Sequence, residues 1–427
     1  MSLEITTVPC GNGTLFLHFR SGWNADRYRE AGDFDLLPNA MRAGSTSGAP
    51  IVEGSAFVAG FLSPDVRCRF RRKGDVITLE APQASDIFVH RGKLEEGWAR
   101  YHTLLGDMLL PLGPVANPEI LSRVEYCTWV EQKVLAERTC QKPMEVLDDA
   151  FVDTYLRRLD HLGFPPGVFT LDHGWLRGSC TFDFNRHEPD TDHFPDLTRT
   201  FDRIRSAGHI PGLWFAPCFL LEDHPFFAEN PQAMGPLFAG ANEGGFQYPL
   251  RYFQIDDSTR EAVRSHYRQV FTPYTRMGAL KFKLDFTYED RSVMRANLTL
   301  AHEVIKELSP GAEVEGHLAD PFTARALDAV RLNDLVIESN PAWLQLMEDH
   351  YNICSHGAPQ TQLNLDHIGT NSPRVSEHDF RASLESYRGK RGYPVVSLLP
   401  DHWGNDTQAL LREYLWSVHP RPAEKRQ

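Results

Sequence analysis

The chain of 427 residues has few cysteines and no paired cysteine motif. Its seven cysteines are scattered, without any CxxC spacing, so the sequence indicates neither a disulfide framework nor a cysteine-based zinc site. HExxH and HxH spacings are also missing, and no glycine-rich phosphate loop opens a predicted helix. These absences favour reduced thiols in a cytoplasmic protein and give no motif support to metal or phosphate chemistry.

Long apolar runs and an excess of positive charge are missing as well. No apolar segment approaches the ~18 residues that cross a bilayer, and the first five residues lack the basic and apolar regions of a secretion signal. The formal net charge of −13 argues against binding to a nucleic-acid backbone. One basic run, 67–73, alternates with apolar residues and predicts a half-buried strand. We therefore expect neither a nucleic-acid nor a membrane partner, and the sequence leaves open whether the chain forms a homo-oligomer.

The first part of the chain has the residue pattern of an antiparallel β domain. Short alternating segments at 14–20, 56–61 and 75–80 predict strands, and helical periodicity is scarce before 94–105. We therefore expect a β-sandwich-like domain over 1–112, followed by a proline-rich linker over 113–120.

From residue 121 the pattern changes to strands that alternate with amphipathic helices. This alternation is typical of parallel β/α architecture, and eight strand–helix pairs are the number in a TIM barrel. The fold class is therefore predicted as α/β, with a (β/α)8 barrel over 121–427. The predicted strands are 124–130, 167–171, 209–215, 280–285, 313–317, 335–338, 362–367 and 394–399. The predicted helices are 143–162, 196–207, 257–276, 291–308, 321–330, 343–354, 376–389 and 406–417.

Unusual polar residues follow one predicted barrel strand after another. Lys283 and Asp285 end the fourth strand two residues apart, so both side chains are expected on one face. A neighbouring cation lowers the pKa of a carboxyl group and keeps it ionised, as a nucleophile must be. The C-terminal ends of barrel strands carry the active site in this fold. The other strand ends contribute Asp172, His173, Trp175, Trp214, Glu315, His317, Asp334, Asp366 and His367.

The segments around the second to fourth strands resemble a known enzyme clan. The run GVFTLDHGW, the segment FPDLTRTFDRIRSAGHIPGLWFAP and the strand end Lys283-Leu284-Asp285 are similar to motifs of the retaining α-glycosidases of families 27, 31 and 36, which include the α-galactosidases. The resemblance covers about 121–370. It implies an exo-acting α-glycosidase with a carbohydrate substrate and without a cofactor or metal.

Residue roles follow from this resemblance alone. It implies that Asp285 is the nucleophile and that Asp334 is the acid/base, with Asp320, Asp328 and Glu338 as competing candidates. It also implies a substrate-binding set that consists of Trp129, Asp172, His173, Trp175, Trp214, Lys283, His317, Arg331 and His367.

Two departures from the clan fall where a sugar would bind. His173 replaces the second aspartate of an Asp-Asp-Gly-Trp turn, and residues 315–321 replace a cysteine- and glycine-rich segment. Galactose specificity therefore does not carry over.

Two other functions stay open on the sequence. The acidic residues and histidines at the strand ends also suit a metal-dependent barrel hydrolase or isomerase. A non-catalytic sugar-binding barrel is the second alternative.

Overall fold

The computed structural model describes residues 3–18, 28–39, 50–179, 187–237, 249–287, 291–317, 320–332, 341–368 and 371–419. Its central element is a closed barrel of eight parallel strands, preceded by two antiparallel sheets. The predicted fold class is therefore confirmed. Within the described ranges no helix is both long and apolar enough to cross a bilayer, and the six cysteines found there are free thiols.

Nine strands precede the barrel in the described residues and form two sheets, with strand orders β1-β8-β7-β4 and β3-β2-β5-β6-β9. These strands are β1 (Glu4–Pro9), β2 (Leu15–His18), β3 (Arg29–Glu30), β4 (Phe34–Leu36), β5 (Ile51–Gly54), β6 (Phe57–Phe61), β7 (Arg69–Lys73), β8 (Val76–Ala81) and β9 (Ile87–Arg91). The three strands predicted in this region are confirmed, and the basic run forms β7. The domain boundary at 112 stays a prediction.

Strand β2 explains how the second sheet is buried on both faces. Leu15 and Leu17 pack into the core between the two sheets, whereas Phe16 packs into the core shared with the barrel. Successive side chains of a strand point to opposite faces, so a continuously apolar strand fits a sheet that is covered twice. The second sheet therefore lies between the first sheet and the barrel helices.

The strands that follow are β10 (Glu125–Cys127), β11 (Val168–Leu171), β12 (Ile210–Phe215), β13 (Phe219–Leu221), β14 (Met234–Leu237), β15 (Leu250–Phe253), β16 (Lys281–Leu284), β17 (Glu313–Gly316), β18 (Ala329–Arg331), β19 (Gln362–His367) and β20 (Tyr393–Val396). Strands β13, β15 and β14 form a small antiparallel sheet, and the remaining eight close the barrel. Seven barrel strands were predicted at the right place. The sixth was wrong, because the barrel uses β18, inside and after the predicted helix 321–330; residues 335–338 lie outside the described ranges.

The helices are α1 (Leu94–Leu105), α2 (Pro118–Leu121), α3 (Trp129–Thr139), α4 (Asp149–Leu162), α5 (Leu197–Ser206), α6 (Pro225–Glu229), α7 (Arg260–Met277), α8 (Arg291–Leu308), α9 (Pro321–Ala324), α10 (Trp343–Gly357), α11 (Glu377–Tyr387) and α12 (Asn405–Val418). Local sequence sets their ends. In α4, the Asp148 side chain caps the first turn by accepting from the backbone N–H of Phe151, and Gly163 ends the helix with a left-handed φ of 67°.

Helix α10 joins the N-terminal sheets to the barrel through a group of five residues that we call the histidine interface: His18, Glu53, Trp98, His102 and His356. The His356 ring stacks on Trp98 with centroids 4.2 Å apart, and His102 Nε2 lies 2.8 Å from the backbone oxygen of His356. Glu53 accepts from Trp98 Nε1 at 2.9 Å and lies 3.1 Å from His18 Nε2. Burial lowers the pKa of His356 to about 4, so this contact is built from neutral rings around one carboxylate.

Candidate active site

Asp285 follows β16 directly, and its side chain is 19% exposed. Its Oδ2 accepts from Trp214 Nε1 at 2.7 Å, and its Oδ1 accepts from the backbone N–H of Phe286 at 2.8 Å. Phe286 has a φ of 55°, a left-handed conformation that is uncommon for an aromatic residue and is found most often at functional sites. The strand end therefore holds a carboxylate by both oxygens while leaving part of it accessible.

Lys283 pairs with Asp172: its Nζ lies 2.6 Å from Asp172 Oδ2 and 3.7 Å from Cys127 Sγ. Asp285 also raises the pKa of Lys283, but by less than Asp172 does. That Lys283 keeps Asp285 ionised stays a prediction. Burial alone would raise the pKa of Asp172 and lower that of Lys283. The attraction between them overrides burial, and the Asp172 pKa falls to about 2 while the Lys283 pKa lies well above its ordinary value. The second and fourth strands thus present a fixed ion pair.

Two nitrogen-bearing side chains near Asp285 come from the fifth and sixth strands. Arg331 Nη2 lies 3.6 Å from Asp285 Oδ1, and His317 Nδ1 lies 3.5 Å from the same oxygen. Arg331 also contacts His317 Nε2. The His317 backbone N–H donates to Thr287 Oγ1 at 3.1 Å. Both side chains were predicted in the site, and the structure brings both of them to the nucleophile candidate.

Three nearly parallel rings form what we call the aromatic wall: Trp129, His173 and Trp214. The His173 ring stacks on Trp214 with centroids 4.3 Å apart and an angle of 14°, and it lies 6.2 Å from Trp129 at 21°. Burial lowers the pKa of His173 to about 4, so the wall carries no charge at neutral pH. Trp129 is half-buried, whereas the other two rings are buried. Of the three rings, only Trp129 therefore has partly accessible surface.

Trp175 lies behind this wall, without any exposed surface. Its Nε1 donates to the backbone oxygen of Trp214 at 2.8 Å. The predicted stacking of a sugar on Trp175 does not fit this position, because the ring packs edge-on against Phe215 and Tyr274. Trp175 instead supports the strand that carries Trp214.

His367 ends the seventh strand and is 3% exposed. Its Nε2 lies 3.6 Å from Asp366 Oδ1, and Asp366 has a left-handed φ of 63°. A role of His367 in substrate binding stays a prediction.

The acid/base candidate Asp334 and its competitor Glu338 lie outside the described residues. The other two competitors have structural roles. Asp320 caps α9 and pairs with Arg291 at 3.1 Å, without exposed surface. Asp328 precedes β18, at the opposite end of the strand from Arg331, and lies 2.7 Å from Lys306 Nζ. Asp328 therefore lies at the other end of the barrel from Asp285, and Asp320 is held as a buried helix cap.

Beneath the rim lies a buried group of polar side chains that was not predicted from the sequence. We call it the Lys281 cluster; its members are Lys281, Glu125, Glu313, Glu315 and Tyr393. Lys281 Nζ lies 2.9 Å from both Glu125 Oε2 and Glu313 Oε1 and also contacts Glu315. Burial alone would raise the pKa of Glu315, but Lys281, followed by Lys283 and Arg331, lowers it. The sequence signal that could have predicted this cluster is the charged residues at alternate positions of β16 and β17.

Asn364 connects this cluster to the seventh strand. Its Nδ2 donates to Glu315 Oε2 at 2.6 Å and to Glu125 Oε2 at 3.1 Å.

Within the described ranges no group of three or more histidine, cysteine, aspartate or glutamate side chains has a metal-holding arrangement.

Comparison with known proteins gives no sequence-level match. No protein-family profile and no curated protein matches the chain.

Solved structures do match its fold. The α-galactosidase TtGalA of Thermus thermophilus, in complex with p-nitrophenyl α-D-galactopyranoside, aligns with a TM-score of 0.66 and 20% identity over 96% of this chain and 87% of its own. A GH31 α-xylosidase from a soil metagenome, complexed with xylose, aligns with a TM-score of 0.64 and 11% identity over 97% of this chain and 64% of its own. The GH36 α-galactosidase AgaB of Geobacillus stearothermophilus aligns with a TM-score of 0.63 and 10% identity over 97% of this chain and 61% of its own. At these identities the likeness shows the fold alone.

Proposed function

We propose that the protein is an exo-acting retaining α-glycosidase with Asp285 as its nucleophile. The observation that carries this proposal is the Asp285 carboxylate itself. It stands at the C-terminal end of a barrel strand, partly exposed, with both oxygens hydrogen-bonded and with nitrogens of Arg331 and His317 within 4 Å. The fold that the chain shares with α-galactosidases and an α-xylosidase supports the same reaction class.

The reaction proceeds in two displacements. An Asp285 oxygen attacks the anomeric carbon while the glycosidic C–O bond breaks, and the leaving oxygen takes a proton from the acid/base. Water then attacks the same carbon and gives a proton to the acid/base, and Asp285 leaves as a carboxylate. Asp334 is proposed as the acid/base, because it follows Arg331 at the end of β18 by three residues.

The surrounding residues suit a sugar ring. The Lys283–Asp172 pair presents a donor and an acceptor for ring hydroxyl groups, and its members are held in place by each other. Trp129, the half-buried ring of the aromatic wall, supplies an apolar surface on which a sugar face packs. His173 in this wall adds no carboxylate, so the proposal leaves the sugar open.

The test is a screen of aryl α- and β-glycosides with wild type, Asp285→Asn and Asp285→Gly. Wild type is expected to hydrolyse one α-glycoside with retention, Asp285→Asn to lose turnover, and Asp285→Gly with azide to form the β-glycosyl azide, because azide fills the space of the carboxylate. The matched control is Asp202→Asn, an exposed aspartate on α5. Turnover of no glycoside, or near-normal activity of folded Asp285→Asn, would contradict the assignment. Activity abolished by a chelator would favour the metal-dependent alternative.

The acid/base assignment needs its own comparison. Asp334→Ala is expected to slow substrates with poor leaving groups much more than activated aryl glycosides, since only the former need a proton in the first step. Equal losses on both would point to another acid.

A further inference from the structure

The contact between Arg331 and His317 fixes where the histidine carries its proton. An arginine side chain has donors only. Because Arg331 Nη2 lies against His317 Nε2, this nitrogen must accept, and the proton of the neutral ring belongs to Nδ1. A proton on Nε2 would place two donors face to face in a site where both side chains are only 4% exposed.

The Nδ1 side of the ring faces two oxygens. Asp285 Oδ1 lies 3.5 Å away and Thr287 Oγ1 lies 3.4 Å away. Thr287 Oγ1 already accepts from the backbone N–H of His317, which anchors the ring to the segment that follows Asp285. The Nδ1 proton therefore points at the nucleophile side of the site.

Among the described residues, three nitrogen donors lie near one oxygen of Asp285. Oδ1 accepts from the Phe286 N–H at 2.8 Å, with Arg331 and His317 at 3.6 and 3.5 Å, whereas Oδ2 accepts from Trp214 Nε1. In the glycosyl ester one carboxyl oxygen bonds to the sugar and the other becomes a carbonyl oxygen. The carbonyl role suits Oδ1, because the Phe286 N–H donates to it and Arg331 and His317 lie beside it.

We infer that Arg331 and His317 are a positioning pair: Arg331 locks His317 as the Nδ1–H tautomer, and together they hold Oδ1 of Asp285 while Oδ2 reacts. This role rests on the proposed glycosidase function. Stabilising the departing carboxylate matters most in the second displacement, where Asp285 regains its negative charge. The pair therefore acts mainly on hydrolysis of the glycosyl ester.

The tautomer is tested without any substrate. In protein labelled with ¹⁵N-histidine, two-bond and three-bond nitrogen–proton correlations show which ring nitrogen carries the proton. Because the chain has 18 histidines, the His317 signals are assigned by their loss in His317→Asn. A wild-type ring protonated on Nδ1 alone is the expected result. A ring protonated on Nε2, or on both nitrogens, overturns the inference.

The role is tested by a matched pair of variants on an activated aryl α-glycoside. In His317→Asn the side-chain amide keeps an N–H donor near the Nδ1 position, whereas His317→Leu keeps none. The kcat of His317→Leu is expected to fall by about tenfold to a hundredfold, as for loss of a hydrogen bond to a charged group. Its KM should fall in parallel and a burst of released aglycone should appear, because the ester accumulates. His317→Asn should recover most of the rate.

Equal losses in His317→Asn and His317→Leu, or a lower kcat with unchanged KM and no burst, overturn the positioning role. The two proposals fail differently. If wild type hydrolyses no glycoside, the glycosidase proposal fails, and the role of the pair fails with it, whatever the tautomer. If wild type is active but His317 carries its proton on Nε2, the positioning pair alone is wrong.

Discussion

The histidine interface predicts that the contact between the N-terminal sheets and the barrel weakens in acid. Burial lowers the pKa of His356 from 6.5 to about 4, with smaller effects of His18, Glu53 and His102. Between these values the unfolded chain binds a proton that the folded protein does not, so the free energy of unfolding rises with pH in this window and falls as the pH drops through it. Linkage gives a loss of about 2 kcal/mol at pH 5 and almost none at pH 7.5.

The variant His356→Phe isolates this contribution. Phenylalanine retains a ring that can stack on Trp98 but cannot bind a proton. The measurement is urea unfolding at pH 7.5 and 5, followed by tryptophan fluorescence. Wild type should lose about 2 kcal/mol more than the variant between the two conditions.

The control is His378→Phe, which makes the same chemical change at a side chain that is 90% exposed. This variant should follow the wild-type pH dependence, since an exposed histidine has no burial penalty to lose. If wild type and His356→Phe lose the same free energy on acidification, the assignment of acid sensitivity to the buried His356 ring is refuted. Buried histidines outside the histidine interface contribute equally to both proteins and cancel in the comparison.

Three further changes test other parts of the structure. Trp214→Phe keeps an aromatic ring beside His173 but removes the donor to Asp285 Oδ2. The kcat/KM on an aryl glycoside should therefore fall about tenfold or more, while the melting temperature changes little. An unchanged kcat/KM would contradict this role of Trp214. Lys281→Met leaves buried carboxylates without their cation and should destabilise the protein by about 3–5 kcal/mol, as measured by thermal unfolding. A loss of unfolding free energy below about 1 kcal/mol would show that the cluster is not held together by charge. Arg29→Ala removes an ion pair with Asp349 in which the arginine is 52% exposed. The free energy of unfolding should therefore fall by at most about 1 kcal/mol. A larger fall would mean that this contact holds the N-terminal sheets in place.

Periodicity was sufficient to predict the barrel, because most of its strands are short apolar runs followed by amphipathic helices. It failed at the sixth strand. Residues 329–331 form only a three-residue strand, and the apolar stretch at 321–330 has the composition of a helix. Such a segment becomes a strand because β17 and β19 leave a gap between them in the closed barrel, a constraint that a local pattern does not contain.

Asp285 and the side chains around it could be found from the sequence because polar strand ends stand out, but which of these side chains pair with one another could not. Lys283 is two residues from Asp285 in the chain, yet its ammonium group turns to Asp172 on the second strand. The neighbours of Asp285 at His317 and Arg331 come from 32 and 46 residues further along the chain. Pairing across a barrel depends on strand order and side-chain length, so sequence distance gives little guidance to it.

The Lys281 cluster restricts how this barrel can change over evolution or under design. Apolar barrel layers accept one substitution at a time when neighbouring side chains repack. Here one ammonium group serves carboxylates from two other strands, so each single replacement passes through an intermediate with an uncompensated buried charge. A version of this barrel with a neutral interior is therefore reached only when the lysine and its carboxylates are exchanged together. Libraries that vary these positions independently will return mostly unfolded proteins.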